Sequence, residues 1–202
     1  MSDTPISIFA TILAAGQSTR FGSTKQTLQL DGTPLIQRAV DVARQVCGDR
    51  TIIVAGHDWP NVIAASRTDG GFFVINEQHA DGMGSSIAMA IRTCRYRADA
   101  VLVMLCDQPL ITAQHLRALV DHWSGDEHEI VATAFAATIG PPVLFPRGVF
   151  ADLLKLKGDR GARDLLHDMR FNLISVTFDD AAVDIDTLKD LDALQGTVAS
   201  RQ

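Results

Sequence analysis

Four unbroken apolar runs punctuate the first half of the chain, at 7–15, 51–55, 71–75 and 100–106. Their length and their lack of polar alternation fit strands buried on both faces. Helical periodicity fills the intervals. Ile36, Ala39, Val40, Ala43 and Val46 share one helical face, with Thr33 as the expected N-cap and Pro34 as the first helical residue. Ile87, Ala90, Ile91 and Cys94 mark a second helix, and Leu116, Leu119, Val120 and Trp123 a third. Strands alternating with helices call for parallel pairing through right-handed crossovers, with helices on both faces. The expected class is α/β with a mostly parallel central sheet.

After Ser124 the pattern changes. Glu129–Thr138 and Pro142–Phe145 are β-rich and are separated by Ile139-Gly140-Pro141, which predicts a small antiparallel excursion. Short helices are expected around Phe150–Lys155 and Ala162–Met169, then a strand at Asn172–Phe178 and a terminal helix from about Leu188. With no repeat and no linker, 202 residues read as a single domain with its core at about 7–195.

Charge narrows the partners. The chain carries 18 Lys+Arg against 24 Asp+Glu, a formal charge of -6, and no long basic run. A general nucleic-acid surface, which needs clustered cations, is not expected. The apolar runs fall well short of the ~20 residues that cross a bilayer, so no membrane partner is expected either. The first ten residues lack the positive n-region of a secretory signal. Cys47, Cys94 and Cys106 are odd in number, widely spaced and set in apolar sequence, as buried thiols of a cytoplasmic protein would be.

Open α/β sheets bind ligands beyond the carboxyl ends of their strands, so the residues after each run are the candidates. The first run enters Leu13-Ala14-Ala15-Gly16 and continues to Lys25. Small residues let backbone N–H groups close around an anion, and Arg20 and Lys25 add two cations suited to a polyphosphate. The alternative is a glycine-bearing turn with two solvated charges. The loop lacks GxxxxGK(S/T), and Gly82-Met83-Gly84 runs on into Ser85-Ser86-Ile87 without a third glycine, so neither common nucleotide motif applies.

Asp107 ends the fourth run at the mouth of the expected crevice, where a carboxylate needs a cation such as Mg²⁺. Its other reading, a cap for the next helix, is weaker because Thr112 can cap it. Asp184 and Asp186 flank Ile185, and period-2 geometry sets both carboxylates on one side. On the residues alone they are acids that favour the helix N-terminus, where Thr187 and Asp190 form an expected cap. Ser85 or Ser86 is the expected cap of the second helix. In Gly158-Asp159-Arg160-Gly161-Ala162-Arg163, either Asp159 caps and the arginines are solvated, or Arg160 and Arg163 form an anion site. The histidines show no metal spacing and read mostly as surface residues, and Met83 reads as packing.

The loop LAAGQSTRFGSTK resembles the LAAGxSxRMGxxK signature of MobA-type nucleotidyltransferases. NEQHADGMGSSIAMAI, VLVMLCDQPLIT, GPPVLFPRGVFADLLKLKGDRGARDLL and VDIDTLKDL resemble one branch, the molybdenum cofactor cytidylyltransferases and close relatives that serve molybdenum hydroxylases. The likeness runs in order over roughly residues 8 to 194, and the GDRGAR segment favours this branch. Phe21 stands where Met is usual, and Thr27-Leu28-Gln29-Leu30 replaces a Leu-Leu-Pro-like run.

The resemblance implies a single-domain Rossmann-like (GT-A-like) nucleotidyltransferase fold. It implies transfer of CMP from CTP to the terminal phosphate of molybdopterin, with release of pyrophosphate and with Mg²⁺, or Mn²⁺ in its place, as cofactor. Leu13, Ala14, Ala15, Gly16, Arg20, Lys25, Gly82, Ser86 and Asp107 would bind the nucleotide, with Gly82 and Ser86 at the base. Arg20, Lys25 and Asp107 would be catalytic. Asp107 and Asp186, with Asp184 as a further neighbour, would hold the metal. Gly140, Pro142, Asp159, Arg160 and Arg163 would bind the acceptor, and a molybdenum hydroxylase or its maturation chaperone would receive the product. Alternatives are GTP or another phosphorylated acceptor, and a non-catalytic protein that binds and delivers the cofactor.

Overall fold

The computed structural model describes residues 6–16, 24–67 and 71–199, the side chains of 196–199 excepted. In chain order the elements are β1 (Ile8–Ala14), β2 (Gln29–Leu30), β3 (Thr33–Pro34), α1 (Leu35–Cys47), β4 (Thr51–Ala55), α2 (Trp59–Ala65) and β5 (Phe72–Ile75). There follow α3 (Met83–Cys94), β6 (Ala100–Leu105), α4 (Ala113–His122), β7 (Glu129–Phe135), β8 (Thr138–Pro146), α5 (Phe150–Leu153), β9 (Asn172–Thr177) and α6 (Leu188–Ala199). Seven strands form one sheet in the order β5-β4-β1-β6-β8-β7-β9. The four apolar runs are its parallel half, β5, β4, β1 and β6. β8 runs antiparallel to both β6 and β7, and β9 is parallel to β7. This is the single α/β domain the sequence implies, with its antiparallel excursion inserted in the sheet.

β1, β4 and β6 are apolar throughout because both sheet faces are covered there. β5, expected to be buried as well, is the edge strand and has no buried residue, with Phe72 43% and Ile75 39% exposed. Ala10, Ile12 and Ala14 of β1 enter one cluster with Ile36 and Val40 of α1 and Leu116 and Leu119 of α4. Phe9 and Leu13 enter the opposite cluster with Ile87 and Ile91 of α3 and Leu153 of α5. A third, smaller cluster joins Leu30, Leu35, Ile185 and Leu191. It fastens the β2–β3 hairpin and the start of α1 to the segment that precedes α6. Cys47, Cys94 and Cys106 are buried free thiols. Among the described residues no helix is long and apolar enough to cross a membrane.

Three local features differ from the sequence reading. The chain reverses between β7 and β8 at Ala136 and Ala137, whose φ values are 45 and 59°, and not at Ile139-Gly140-Pro141. Two successive positive φ values give a tight hairpin turn that normally announces itself as Asn-Gly, and Ala-Ala carries no such signal. The Gly-Pro-Pro segment instead breaks the register, which passes from Ala132↔Val143 to Thr133↔Gly140 and leaves Pro141 and Pro142 outside the ladder. A residue without an N–H cannot serve a ladder on both sides, and a bulge accommodates it. At the start of α1 the cap residue is Pro34, and Thr33-Pro34 pairs with Gln29-Leu30 as β3. The seven-residue α2, with Val62 as its buried residue, lies where no helix is expected.

His115 is also not a surface residue. It is 4% exposed, its Nε2 lies 2.8 Å from Thr133 Oγ1, and its ring stacks on Phe178 at 4.3 Å. Thr133 Oγ1 donates to Pro142 O at 2.7 Å, so it accepts from the imidazole. Burial lowers the His115 pKa to about 4. Because the folded value lies below the unfolded one, the neutral ring contributes stability above pH ~6.5 that is lost as pH falls toward 4. His115→Gln should remove that limb. The difference in unfolding free energy between wild type and variant should shrink by up to about 3 kcal/mol across this window, measured by urea denaturation at a series of pH values.

Candidate active site

The carboxyl ends of β5, β4, β1 and β6 share one edge of the sheet. From β1 the chain goes to β4 on one side and reaches β6 on the other, so a crevice opens beyond Ala14 and Leu105 at the switch of direction. Because β8 is antiparallel to β6, its first residues, including Gly140 and Pro142, approach the same edge.

Ala14 and Ala15 are buried there and Gly16 is exposed beside them. Leu13 packs its side chain into the core, and it is paired within the sheet with Val54 of β4 and Leu105 of β6. Gln26 Nε2 donates to Gly16 O at 3.0 Å and ties the beginning of the first loop to its end. Thr24 Oγ1 donates to Asp58 Oδ2 and fixes that end against the start of α2. Arg20 lies outside the described residues.

Lys25 follows Thr24 in a single 3-10 turn (Lys25–Thr27) and is 9% exposed. Its Nζ donates to Asp107 Oδ2 and to Asp186 Oδ1, both at 2.8 Å. Burial works against the ammonium charge, but Asp107 and then Asp186 outweigh it, and the Lys25 pKa is raised. Asp107 stands two residues past β6, as expected of a residue at the crevice mouth. Thr112 caps α4, accepting from His115 N at 3.1 Å, so Asp107 is not needed for that purpose.

Asp186 reaches the site because Ile185 is anchored in the third cluster. Extended geometry then turns Asp184 and Asp186 away from it. Ile185 N–H donates to Asp107 O at 3.0 Å, which fixes the two acidic segments side by side. Asp190 Oδ2 accepts from the N–H groups of Asp186 and Thr187, and Thr187 Oγ1 accepts from Asp190 N, a reciprocal cap at the start of α6. Partial desolvation, then Asp107 and Asp186, push the Asp184 carboxyl up to about 6, with Lys25 only partly offsetting them.

This donor set fits a hard divalent cation. Two carboxylates already share one ammonium, and Asp107 Oδ1 is buried with no hydrogen-bond partner in the structure. Among the described residues no three or more His, Cys, Asp and Glu side chains form a cage. Asp184 does not complete one. Two carboxylates with water and phosphate oxygens match the habit of Mg²⁺.

The loop after β5 meets the loop after α5. Gly82, at φ 88°, is the N-cap residue of α3, so Ser85 and Ser86 lie inside the helix and not at its cap. A Cβ on Gly82 would run into Asp159 and Gly158. Gly84 N donates to Gly158 O at 2.9 Å and Gly158 N to Asp81 O at 2.8 Å. The structure thus joins the expected base-side loop to the expected acceptor-side loop. Arg160 and Arg163 are exposed, and Arg160 pairs with Asp164 at 3.5 Å. The expected helix at 162–169 is a 3-10 turn (Arg163–His167) entered from Ala162, so Asp159 does not cap it.

Two amides were not singled out from sequence. Asn76 is 1% exposed and donates from Nδ2 to Ser85 Oγ at 2.8 Å and Ser86 Oγ at 3.0 Å. Gln108 is 5% exposed and sits beside Asp107. Each is a polar amide at or just beyond the end of an apolar strand, the same signal that marked Asp107, but an amide carries no charge to draw attention.

Residues 10–173 match the MobA-like NTP transferase domain. This chain belongs to that family. Purine catabolism protein PucB of Bacillus subtilis (strain 168) is 28% identical over 168 residues, 79% of this chain and 80% of that protein. Bifunctional protein GlmU of Synechococcus sp. (strain CC9311) is 29% identical over 143 residues, 70% of this chain but 31% of its own length. The chain therefore spans about a third of the GlmU protein it matches. The crystal structure of Rv0371c from Mycobacterium tuberculosis H37Rv superposes with a TM-score of 0.83 at 32% identity, covering 96% of this chain and 99% of that one. Rv0371c in complex with manganese gives a TM-score of 0.79 at 32% identity, covering 95% and 99%.

The raised Asp184 pKa carries a sign that can be checked. Its contribution to stability is present below pH ~4 and is lost as pH rises through about 6. Asp184→Asn should raise the Tm of the metal-free protein at pH 7.5, an advantage that disappears near pH 4, with differential scanning calorimetry as the readout. Lys25→Met should have the opposite effect at neutral pH, lowering stability by roughly 1–3 kcal/mol through the uncompensated Asp107–Asp186 pair, less than for a fully buried pair because Asp186 is exposed. Adding Asp107→Asn to that variant should recover part of the loss.

Proposed function

We propose that the protein transfers CMP from CTP to the terminal phosphate of molybdopterin, metal-loaded or nearly so, and releases pyrophosphate. The observation that carries this reading is the Lys25 ammonium held between Asp107 and Asp186 at 2.8 Å each, on a segment that the neighbouring Gln26 ties to Gly16 O at 3.0 Å. The choice of cytosine and of a pterin acceptor rests on the likeness of the Asn76–Ile91 and Gly158–Arg163 segments to the molybdenum cofactor cytidylyltransferases.

A phosphate monoester has a second pKa of about 6, so the acceptor is largely dianionic at neutral pH and needs no general base. The chain's work is alignment and charge neutralisation. Backbone N–H groups of Ala14–Gly16 would hold the triphosphate, with Arg20 and Lys25 opposing its charge and that of the departing pyrophosphate. Asp107 and Asp186 would hold Mg²⁺ or Mn²⁺, which when bound supplies Lewis-acid stabilisation at the phosphoryl oxygens. Ser86 Oγ accepts from Asn76, which leaves its own proton to donate to the exocyclic carbonyl oxygen of the base, while Gly82, which has no side chain, would border the base. Gly140 and Pro142 would shape the acceptor side, and Asp159, Arg160 and Arg163 would border its phosphate. A molybdenum hydroxylase or its maturation chaperone would take the product.

The test is product formation by the purified chain with molybdopterin, Mg²⁺ and each of CTP, GTP, UTP and ATP in turn. CTP should give pyrophosphate and the cytidylylated pterin, and Asp107→Asn should lower the rate roughly 100-fold or more. A guanylylated product would overturn the base assignment. Pterin binding without pyrophosphate release from any nucleotide would make this a delivery protein.

A further inference from the structure

Where the β7–β8 register breaks, the carbonyls of Pro141 and Pro142 leave the ladder. A buried carbonyl without a donor is disfavoured, and each finds one on a side chain. Pro142 O accepts from Thr133 Oγ1 at 2.7 Å. Pro141 O accepts from Gln108 Nε2 at 3.2 Å, and the same Nε2 donates to Ala181 O at 2.9 Å. One amide therefore joins three stretches that are remote in sequence. These are the end of β6 with Asp107, the bulge of β8 beside Gly140 and Pro142, and the turn at Asp179–Ala182 that leads to Asp184 and Asp186.

The orientation of that amide is fixed by its surroundings. A flipped side chain would set its oxygen against two carbonyl oxygens. In the orientation it has, Oε1 is buried with no hydrogen-bond partner. That unpaired oxygen counts against an amide at 108, and the two carbonyls that an apolar side chain would leave without this donor count for it. The gain from an amide here is what its two N–H groups hold in place.

We infer that Gln108 is a positioning residue for the transfer step. It sets the spacing between Asp107, the Asp186 segment and the acceptor-side bulge. This rests on the reading of Asp107 and Asp186 as a cation-binding pair. The nucleotide cradle lies on the β1 side and meets Asp107 through Lys25, not through Gln108. Loosening Gln108 therefore acts on the cation and the acceptor and spares the nucleotide.

The test measures Mn²⁺ binding by isothermal titration calorimetry to the unaltered chain, to Gln108→Met and to Gln108→Asn. The first variant removes both donors at similar length, and the second keeps an amide too short to span both carbonyls. Both should bind Mn²⁺ about tenfold more weakly, with a comparable rise in acceptor KM or fall in kcat. CTP affinity in EDTA should be unchanged. Thermal unfolding reports whether each variant is folded, and Gln108→Asn carries the test should Gln108→Met not fold. Folded variants with unaltered Mn²⁺ affinity, acceptor KM and kcat would overturn the inference. So would a parallel loss of CTP affinity in EDTA, which marks a merely structural residue. If the unaltered chain binds no Mn²⁺, the cation-pair reading fails first and takes this inference with it.

Discussion

Charge balance at the carboxyl edge of the sheet governs the architecture around it. Asp107 is placed by a strand buried on both faces, in a setting where a carboxylate without a counterion is strongly disfavoured. Lys25 supplies that counterion, and the same ammonium takes the second carboxylate at Asp186. Neither partner could stay where it is without local restraints. Thr24 against Asp58 and Gln26 against Gly16 fix the segment that carries the lysine. Ile185 in its apolar cluster, with its N–H on Asp107 O, fixes the segment that carries the second acid.

Each of these devices uses the fold in a simple way. Parallel strands end together, so loops that are far apart in sequence converge on one edge. The antiparallel excursion brings the opening residues of β8 to that edge from the other direction. The bulge at Pro141 and Pro142 frees two carbonyls from the ladder, and the side chains of Gln108 and Thr133 capture them. His115, behind Thr133, continues that network into the core.

Much of this was legible in the residues. Buried strands announce themselves by unbroken apolarity, and the edge they share follows from their parallel pairing. Asp107 and the Asp184–Asp186 pair could be located because a charge directly after or between apolar residues has few places to go. What could not be read were effects that depend on long-range register. The Ala136-Ala137 turn has no turn chemistry in its sequence, and the Gly-Pro-Pro segment looks like a turn but is a bulge. His115 sits on a helix whose polar residues otherwise face water, and only the packing of Phe178 and Thr133 shows it to be interior. Asn76 and Gln108 are uncharged, and their partners lie up to 73 positions away.

The span between Lys25 and Asp186 has a consequence for how the molecule assembles. These two residues are 161 positions apart, so their contact closes a loop made of most of the chain. Closure of so large a loop is entropically unfavourable until the sheet between its ends exists. The constellation thus depends on the sheet for its own formation. A chain that stops before residue 184 would contain every strand of the sheet and Asp107 at its edge, yet lack Asp186, the second arm of the clasp. The Lys25–Asp186 contact is in this way a report that the whole domain has closed.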